Sequence, residues 1–297
     1  MRWGDMRPSD NVEDRRGSGG GGGFPVGGGM RLGGGALIIV VIVSLLFGVN
    51  PMQFLGMMEG AGPVVAPPQQ TLPTPAGGAP AAAAKDPEGV LVKRTLGDTE
   101  DVWTELFAAM GSRYEPPKLV LFSRVDRSAC GRASAAAGPF YCPADRKVYL
   151  DTAFFQELST RFGAPGVFAA AYVIAHEIGH HVQNQMGTMQ KFDQASARMD
   201  ARQRNAMSVR LELQADCYAG VWAFYAAKRN LLEPGDLEEG LRAASAVGDD
   251  TIQKQAQGYV VPDAFTHGKA EQRVRWFRTG FKTGDPRSCN TFAAKDV

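Results

Sequence analysis

Hydrophobic and polar positions change their period several times along the chain. Residues 1–31 mix charges with glycine runs at Gly19–Gly23 and Gly27–Gly29 and offer little apolar sequence to bury. A disordered tail is expected there. Leu32 to Val49 then carries no charge, with an apolar centre from Ala36 to Phe47. About 20 such residues span a bilayer as a helix, so residues 32–50 are expected to form one transmembrane helix. No small-residue cleavage pattern follows Phe47, which favours an anchor over a removed signal peptide. Residues 51–88 are rich in Pro, Ala and Gly and read as a semi-extended linker. Periodic sequence resumes near residue 89 and continues to 297.

Within 89–297 the pattern is mostly helical. Asp98 is placed to cap a helix through about Met110. Short β-branched runs at Lys118–Ser123 and Lys147–Asp151 read as strands. A helix is expected from Pro165 to just before Gly187, and a long one from Asp193 to Lys228. Asp236 with Glu239 has capping-box spacing for a further helix toward Gln257, and a last helix covers about Gly268–Thr279. The fold class is therefore α+β: a mainly α-helical domain with a small β-sheet, preceded by one transmembrane helix.

Charge changes this picture in one respect. The formal net charge is +1, so no global field points to nucleic acid. Its distribution is informative: Arg15, Arg16 and Arg31 precede the apolar run, and no Lys or Arg follows until Lys85. The positive-inside bias puts the N-terminus in the cytoplasm and the domain outside it. The four cysteines, Cys130, Cys142, Cys217 and Cys289, form no CxxC pair, which argues against a cysteine zinc knuckle.

The candidate chemistry lies in the helix expected at 165–187. Ala175-His176-Glu177-Ile178-Gly179-His180 is an HExxH motif. Residues four apart share a helix face, so His176 and His180 can both ligate one Zn2+. Glu177 falls beside the metal and suits a general base acting on metal-activated water. Val167, Phe168, Ala170, Ala171, Ile174, Ile178 and Val182 supply an apolar face for packing. A catalytic zinc needs a third protein ligand. The residues after His180 lack the third histidine of the HExxHxxGxxH pattern, and His181 lies about 100° around the helix from His180. Glu212, in Glu212-Leu213-Gln214-Ala215-Asp216, is the candidate third ligand. Asp216, one turn on, is placed to orient a ligand imidazole. His267 is the candidate stabiliser of the oxyanion, with Tyr218 and Tyr141 as weaker ones.

These residues together resemble the bacterial putative neutral zinc metallopeptidase family, membrane-anchored proteins of gluzincin type. The resemblance is carried by Cys130-Gly131, Gly138–Asp145, Val148–Asp151, His176–Gln183, Glu212–Gly220, Gly248–Asp250, Thr266–Gly268, Gln272-Arg273 and Trp276-Phe277. It implies a zincin-like fold with Glu212 as third ligand, and a zinc-dependent peptidase of the bacterial inner membrane acting on extracytoplasmic proteins or peptides. In that oxidising compartment Cys130–Cys142 and Cys217–Cys289 are the expected disulfides. Gly138–Cys142 reads as an edge strand able to pair with an extended substrate. The competing function is a non-catalytic, metal-stabilised binding or scaffold protein tethered to the membrane. Glu177 discriminates the two, because a scaffold has no use for a carboxylate beside the metal.

Overall fold

The computed structural model describes residues 1–17, 86–134 and 138–297. The expected membrane span at 32–50 and the linker up to residue 85 lie outside the described residues. Among the described residues no helix is long and apolar enough to cross a membrane.

The architecture is α+β and mainly helical. Strands β1 (Val12–Asp14), β2 (Lys118–Phe122), β3 (Val125–Ser128), β4 (Gly131–Ser134), β5 (Phe140–Cys142) and β6 (Lys147–Asp151) form two small sheets. The larger has the order β1-β2-β6-β5, with β1 and β6 parallel to β2 and β5 antiparallel to β6. The hairpin β3–β4 stands apart as the second sheet. The helices are α1 (Pro87–Ala109), α2 (Ala153–Thr160), α3 (Val167–Gln185), α4 (Thr188–Ser196), α5 (Ala201–Lys228), α6 (Asp236–Ala246), α7 (Asp249–Gln257) and α8 (Ala270–Thr283).

Helix α3 is the centre of the molecule. Its residues 168–183 are all buried, against α1, α5, α6 and the sheet. A helix apolar on all sides belongs in a core, and the run from Phe168 to Ala175 meets that condition. Its N-terminus is held from outside the helix. Gly166 has φ +127°, and the Phe168 N–H donates to the Glu239 carboxylate of α6 at 3.2 Å. Stacked Phe168 and Trp222 join α3 to α5, while Trp103 of α1 lies edge-on to Tyr218.

Helices α5 and α8 approach each other closely through glycine. A Cβ on Gly220 would lie 2.0 Å from Phe277 O, and one on Gly280 would lie 1.9 Å from Cys217 O. Each interior glycine costs about 1 kcal/mol of helix propensity. The close crossing they allow carries Arg273 of α8 to Asp216 of α5. The Cys217–Cys289 disulfide ties α5 to the C-terminal tail beside this crossing, and Cys130–Cys142 ties β5 to the turn before β4.

Several expected elements differ. Residues 1–17 are ordered, contrary to a disordered tail: β1 completes the sheet and Met6 is buried in the core. Their order comes from long-range pairing rather than from local apolar content. Helix α1 begins at Pro87, capped by Asp86, so Asp98 lies inside it, buried against Trp222 and Arg229. The long helix expected from 193 is divided into α4 and α5, because Asp200 and Gln203 form a capping box that starts α5. The helix expected from Asp236 to Gln257 breaks at Gly248 into α6 and α7. Asp236 and Glu239 do not cap α6, since Glu239 serves α3. Helix α2, β3 and β4 were not anticipated.

Gly280→Ala is expected to lower stability by at least about 1–3 kcal/mol, the usual range for overpacking, because the added methyl meets backbone and not a mobile side chain. A thermal melt read by circular dichroism checks this. An unchanged midpoint would contradict the close α5–α8 crossing.

Candidate metal centre

The HExxH helix and α5 pass each other at Gly179. A Cβ there would lie 2.9 Å from Ala215 O, so the motif's glycine sets the helix separation at the site. At this separation Glu212 of α5 faces His176 and His180 of α3. Its Oε2 lies 3.2 Å from His176 Nε2, and its Oε1 lies 3.4 Å from His180 Nε2. Two ligands each about 2.1 Å from a tetrahedral zinc are about 3.4 Å apart, and one donor atom from each of the three side chains lies within 4.8 Å of the others, a spacing that could hold one metal ion. Among the described residues these three are the one His, Cys, Asp or Glu group with metal-holding geometry.

Both imidazoles are fixed through Nδ1, which leaves Nε2 for a metal. His176 Nδ1 donates to Asp216 Oδ1 at 2.9 Å. His180 Nδ1 donates to Gln183 Oε1 at 2.9 Å. Gln183 in turn donates to Leu211 O and Gln214 Oε1, and Gln214 donates to the carbonyl of Cys289. Such outer contacts set the tautomer and direction of ligand histidines.

Asp216 is wholly buried and accepts from every side. Tyr172 OH donates to Oδ1 at 2.5 Å, and Arg273 donates to both oxygens at 2.9 Å. Burial alone would raise the Asp216 carboxyl pKa; the Arg273 and His176 charges and the hydrogen bonds from those two side chains outweigh it and hold the group below the usual carboxylate range. Burial would also lower the His176 imidazole pKa, but Asp216 and Glu212 overcome that and lift it to about 10. A donor set that binds a proton this firmly is electrostatically prepared for a cation, and metal uptake would displace that proton.

Glu177 is buried on the same helix and lines the same cleft, of about 950 Å³. Burial raises its carboxyl pKa, opposed by His180 and His176 and by a hydrogen bond from the backbone of Tyr141 in β5. His267 also lines the cleft. Its Nδ1 donates to Asp249 Oδ1 at 3.0 Å. The backbone N–H groups of Thr266, His267 and Gly268 all donate to Asp249 Oδ2, at 2.7, 2.7 and 2.9 Å. One carboxylate thus fixes both the loop and the ring, leaving Nε2 to the cleft.

The structure brings His176, Glu177, His180, Glu212 and His267 to one cleft, with Asp216 buried behind His176. It places His181 apart: Tyr141 OH donates to its Nδ1 and its Nε2 donates to Glu115 O. Burial lowers its pKa to about 4, so it stays neutral. The Tyr141 hydroxyl is engaged there, and the Tyr218 hydroxyl points to Met186 Sδ. Sequence reasoning missed Arg273, Tyr172, Gln183, Gln214 and Asp249 as parts of the site. Gln183 was reachable from spacing alone, being one turn beyond His180 on the same face. The others become partners only when helices cross.

Asp216→Asn is expected to weaken zinc binding about 10–100-fold, the usual effect of losing a partner of a ligand histidine. Competition against a chromophoric chelator measures this, and unaltered affinity would contradict the role given to Asp216.

The sequence model of the family described as "Putative neutral zinc metallopeptidase" matches residues 1–292. The chain is 46% identical over 292 residues to "Uncharacterized protein YpfJ" of Escherichia coli strain K12, covering 98% of this chain and 99% of that protein. It is 46% identical over 217 residues to "Uncharacterized protein Rv2575" of Mycobacterium tuberculosis strain H37Rv, covering 69% of this chain and 71% of that protein. No solved structure matches the chain. With the family match spanning nearly its whole length, and with a His-His-Glu donor set built around HExxH, the chain belongs to the putative neutral zinc metallopeptidase family.

Proposed function

We propose that the protein is a zinc-dependent endopeptidase acting on extracytoplasmic proteins or peptides. The observation that carries this reading is Glu177, a buried carboxylate beside the His176–His180–Glu212 donor set and at the same cleft as His267. Zinc held by those three residues would lower the pKa of water toward about 7 and polarise a carbonyl.

The chain's own residues then divide the work. Glu177 accepts a proton from the attacking water and later delivers it to the leaving amine. Burial raises its carboxyl pKa, which favours its role as a proton acceptor and donor. For His267, burial lowers the pKa, and Asp249 and Glu212 raise it by more, so the net shift is upward. A proton on Nε2 would let the ring donate to the oxygen on which charge develops. Strand β5 lies at the edge of its sheet and lines the cleft through Phe140 and Tyr141. An extended peptide can add to that edge, its backbone passing Glu177. Phe154, Phe162 and Val173 line the same cleft and suit an apolar substrate side chain.

The extracytoplasmic assignment is supported by the pairing of all four cysteines, since disulfides persist in oxidising compartments.

Glu177→Gln is expected to keep zinc at one ion per chain and to lower kcat on a peptide substrate by about 10²–10⁴-fold. His267→Ala is expected to keep zinc and lower kcat by about 10²–10³-fold. Metal analysis and peptide turnover on the same preparations read both effects. A Glu177→Gln protein that cleaves like the parent would sink the role given to Glu177, whereas a zinc-loaded parent that cleaves no peptide would leave the scaffold reading.

A further inference from the structure

The N-terminal segment bears on how the protein meets a membrane. Residues 1–17 and the domain are joined as parts of one fold. In β1, Val12, Glu13 and Asp14 stand in register with Leu119, Val120 and Leu121. Leu119 N–H donates to Asn11 O, and Arg15 N–H donates to Leu121 O, each at 2.8 Å.

The pairing extends well beyond the strand. Glu100 of α1 is a buried carboxylate that accepts from Ser9 Oγ at 2.6 Å, Asn11 Nδ2 at 2.8 Å and Arg7 Nη2 at 2.9 Å. Without residues 7–11 that carboxylate would lose three donors, and a buried charge lacking partners is strongly destabilising. Helix α1 also makes room for the segment: a Cβ on Gly97 would lie 2.2 Å from Arg7 O. Glu13 accepts from Lys147 of β6, and Arg15 donates to Asp126 of β3.

The two ends of the intervening segment are clamped together. Arg16 Nη1 donates to Asp86 Oδ1 at 3.0 Å, and Asp86 is the residue that caps α1. The chain therefore leaves at residue 17 and returns at residue 86 at one point. A single crossing would put about 30 Å of hydrocarbon between those ends. The arrangement expected from charge bias, with the N-terminus in the cytoplasm and the domain outside it, is incompatible with this contact.

We propose that residues 1–17 and 86–297 lie on the same side of the membrane, with the segment carrying the apolar run 32–50 beginning and ending on that one face. This inference does not depend on peptidase activity.

The test uses the full chain in cells, with Gly4→Cys and Ser112→Cys made separately. Both positions are exposed, and a Cβ on Gly4 meets nothing within 4 Å. The native cysteines are all in disulfides and give no background. A membrane-impermeant maleimide is applied before and after lysis. Labelling of both positions to the same extent before lysis supports the proposal. Labelling of both only after lysis also supports it, while contradicting the extracytoplasmic assignment made above. Position 112 reacting before lysis and position 4 only after it would overturn the proposal. Hydrogen exchange on the purified full chain in detergent checks the pairing itself. Amides of Arg15 and Leu119 are expected to exchange at least about 10-fold more slowly than in a free peptide. Unprotected exchange at both would also overturn it.

Discussion

A carboxylate without access to water stands where three helices meet. Asp216 of α5 takes hydrogen bonds from Tyr172 and His176 of α3 and two from Arg273 of α8. Burying an ionised carboxylate costs several kcal/mol unless it is paired and its lone pairs are satisfied. The fold therefore cannot place Asp216 without bringing both neighbouring helices to it. Once they arrive, His176 has one direction and Arg273 one position. Gly179 on the α3 side and Gly220 and Gly280 at the α5–α8 crossing allow that approach. The ligand geometry is thus a consequence of helix packing as much as of the HExxH spacing.

The second ligand is held differently. His180 rests on Gln183, which continues through Gln214 to the Cys289 carbonyl, and Cys289 is bonded to Cys217 next to Asp216. One histidine is fixed by an ionic cluster and the other by neutral amides that end at a disulfide. Arg273 pairs with Asp216, whereas the charged groups acting on Glu177 are His180, His176 and Glu212. That difference suits Asp216 for orienting and Glu177 for moving protons.

What was legible in the sequence was local. His176, Glu177 and His180 lie within about one turn, so their relation follows from helix geometry alone. Strands β2 and β6 were readable because both are short apolar runs. Arg273, Tyr172 and Asp249 were not readable as site residues, since their partners lie far along the chain and meet them only by helix crossing. The break between α4 and α5 was legible in principle, because Asp200 and Gln203 carry the capping signal that starts α5. The N-terminal strand escaped for a further reason. Val12–Asp14 has no apolar periodicity, and its order comes from pairing with β2 and from ion pairs to residues such as Lys147 and Asp126.

The central claim is that His176, His180 and Glu212 hold zinc beside an uncoordinated Glu177. Anomalous diffraction at the zinc edge, from crystals of the zinc-loaded protein, tests it most directly. The account predicts one peak about 2.1 Å from the Nε2 atoms of His176 and His180 and from a Glu212 oxygen. A peak coordinated by Glu177 or His181, or lying outside this cleft, would contradict it.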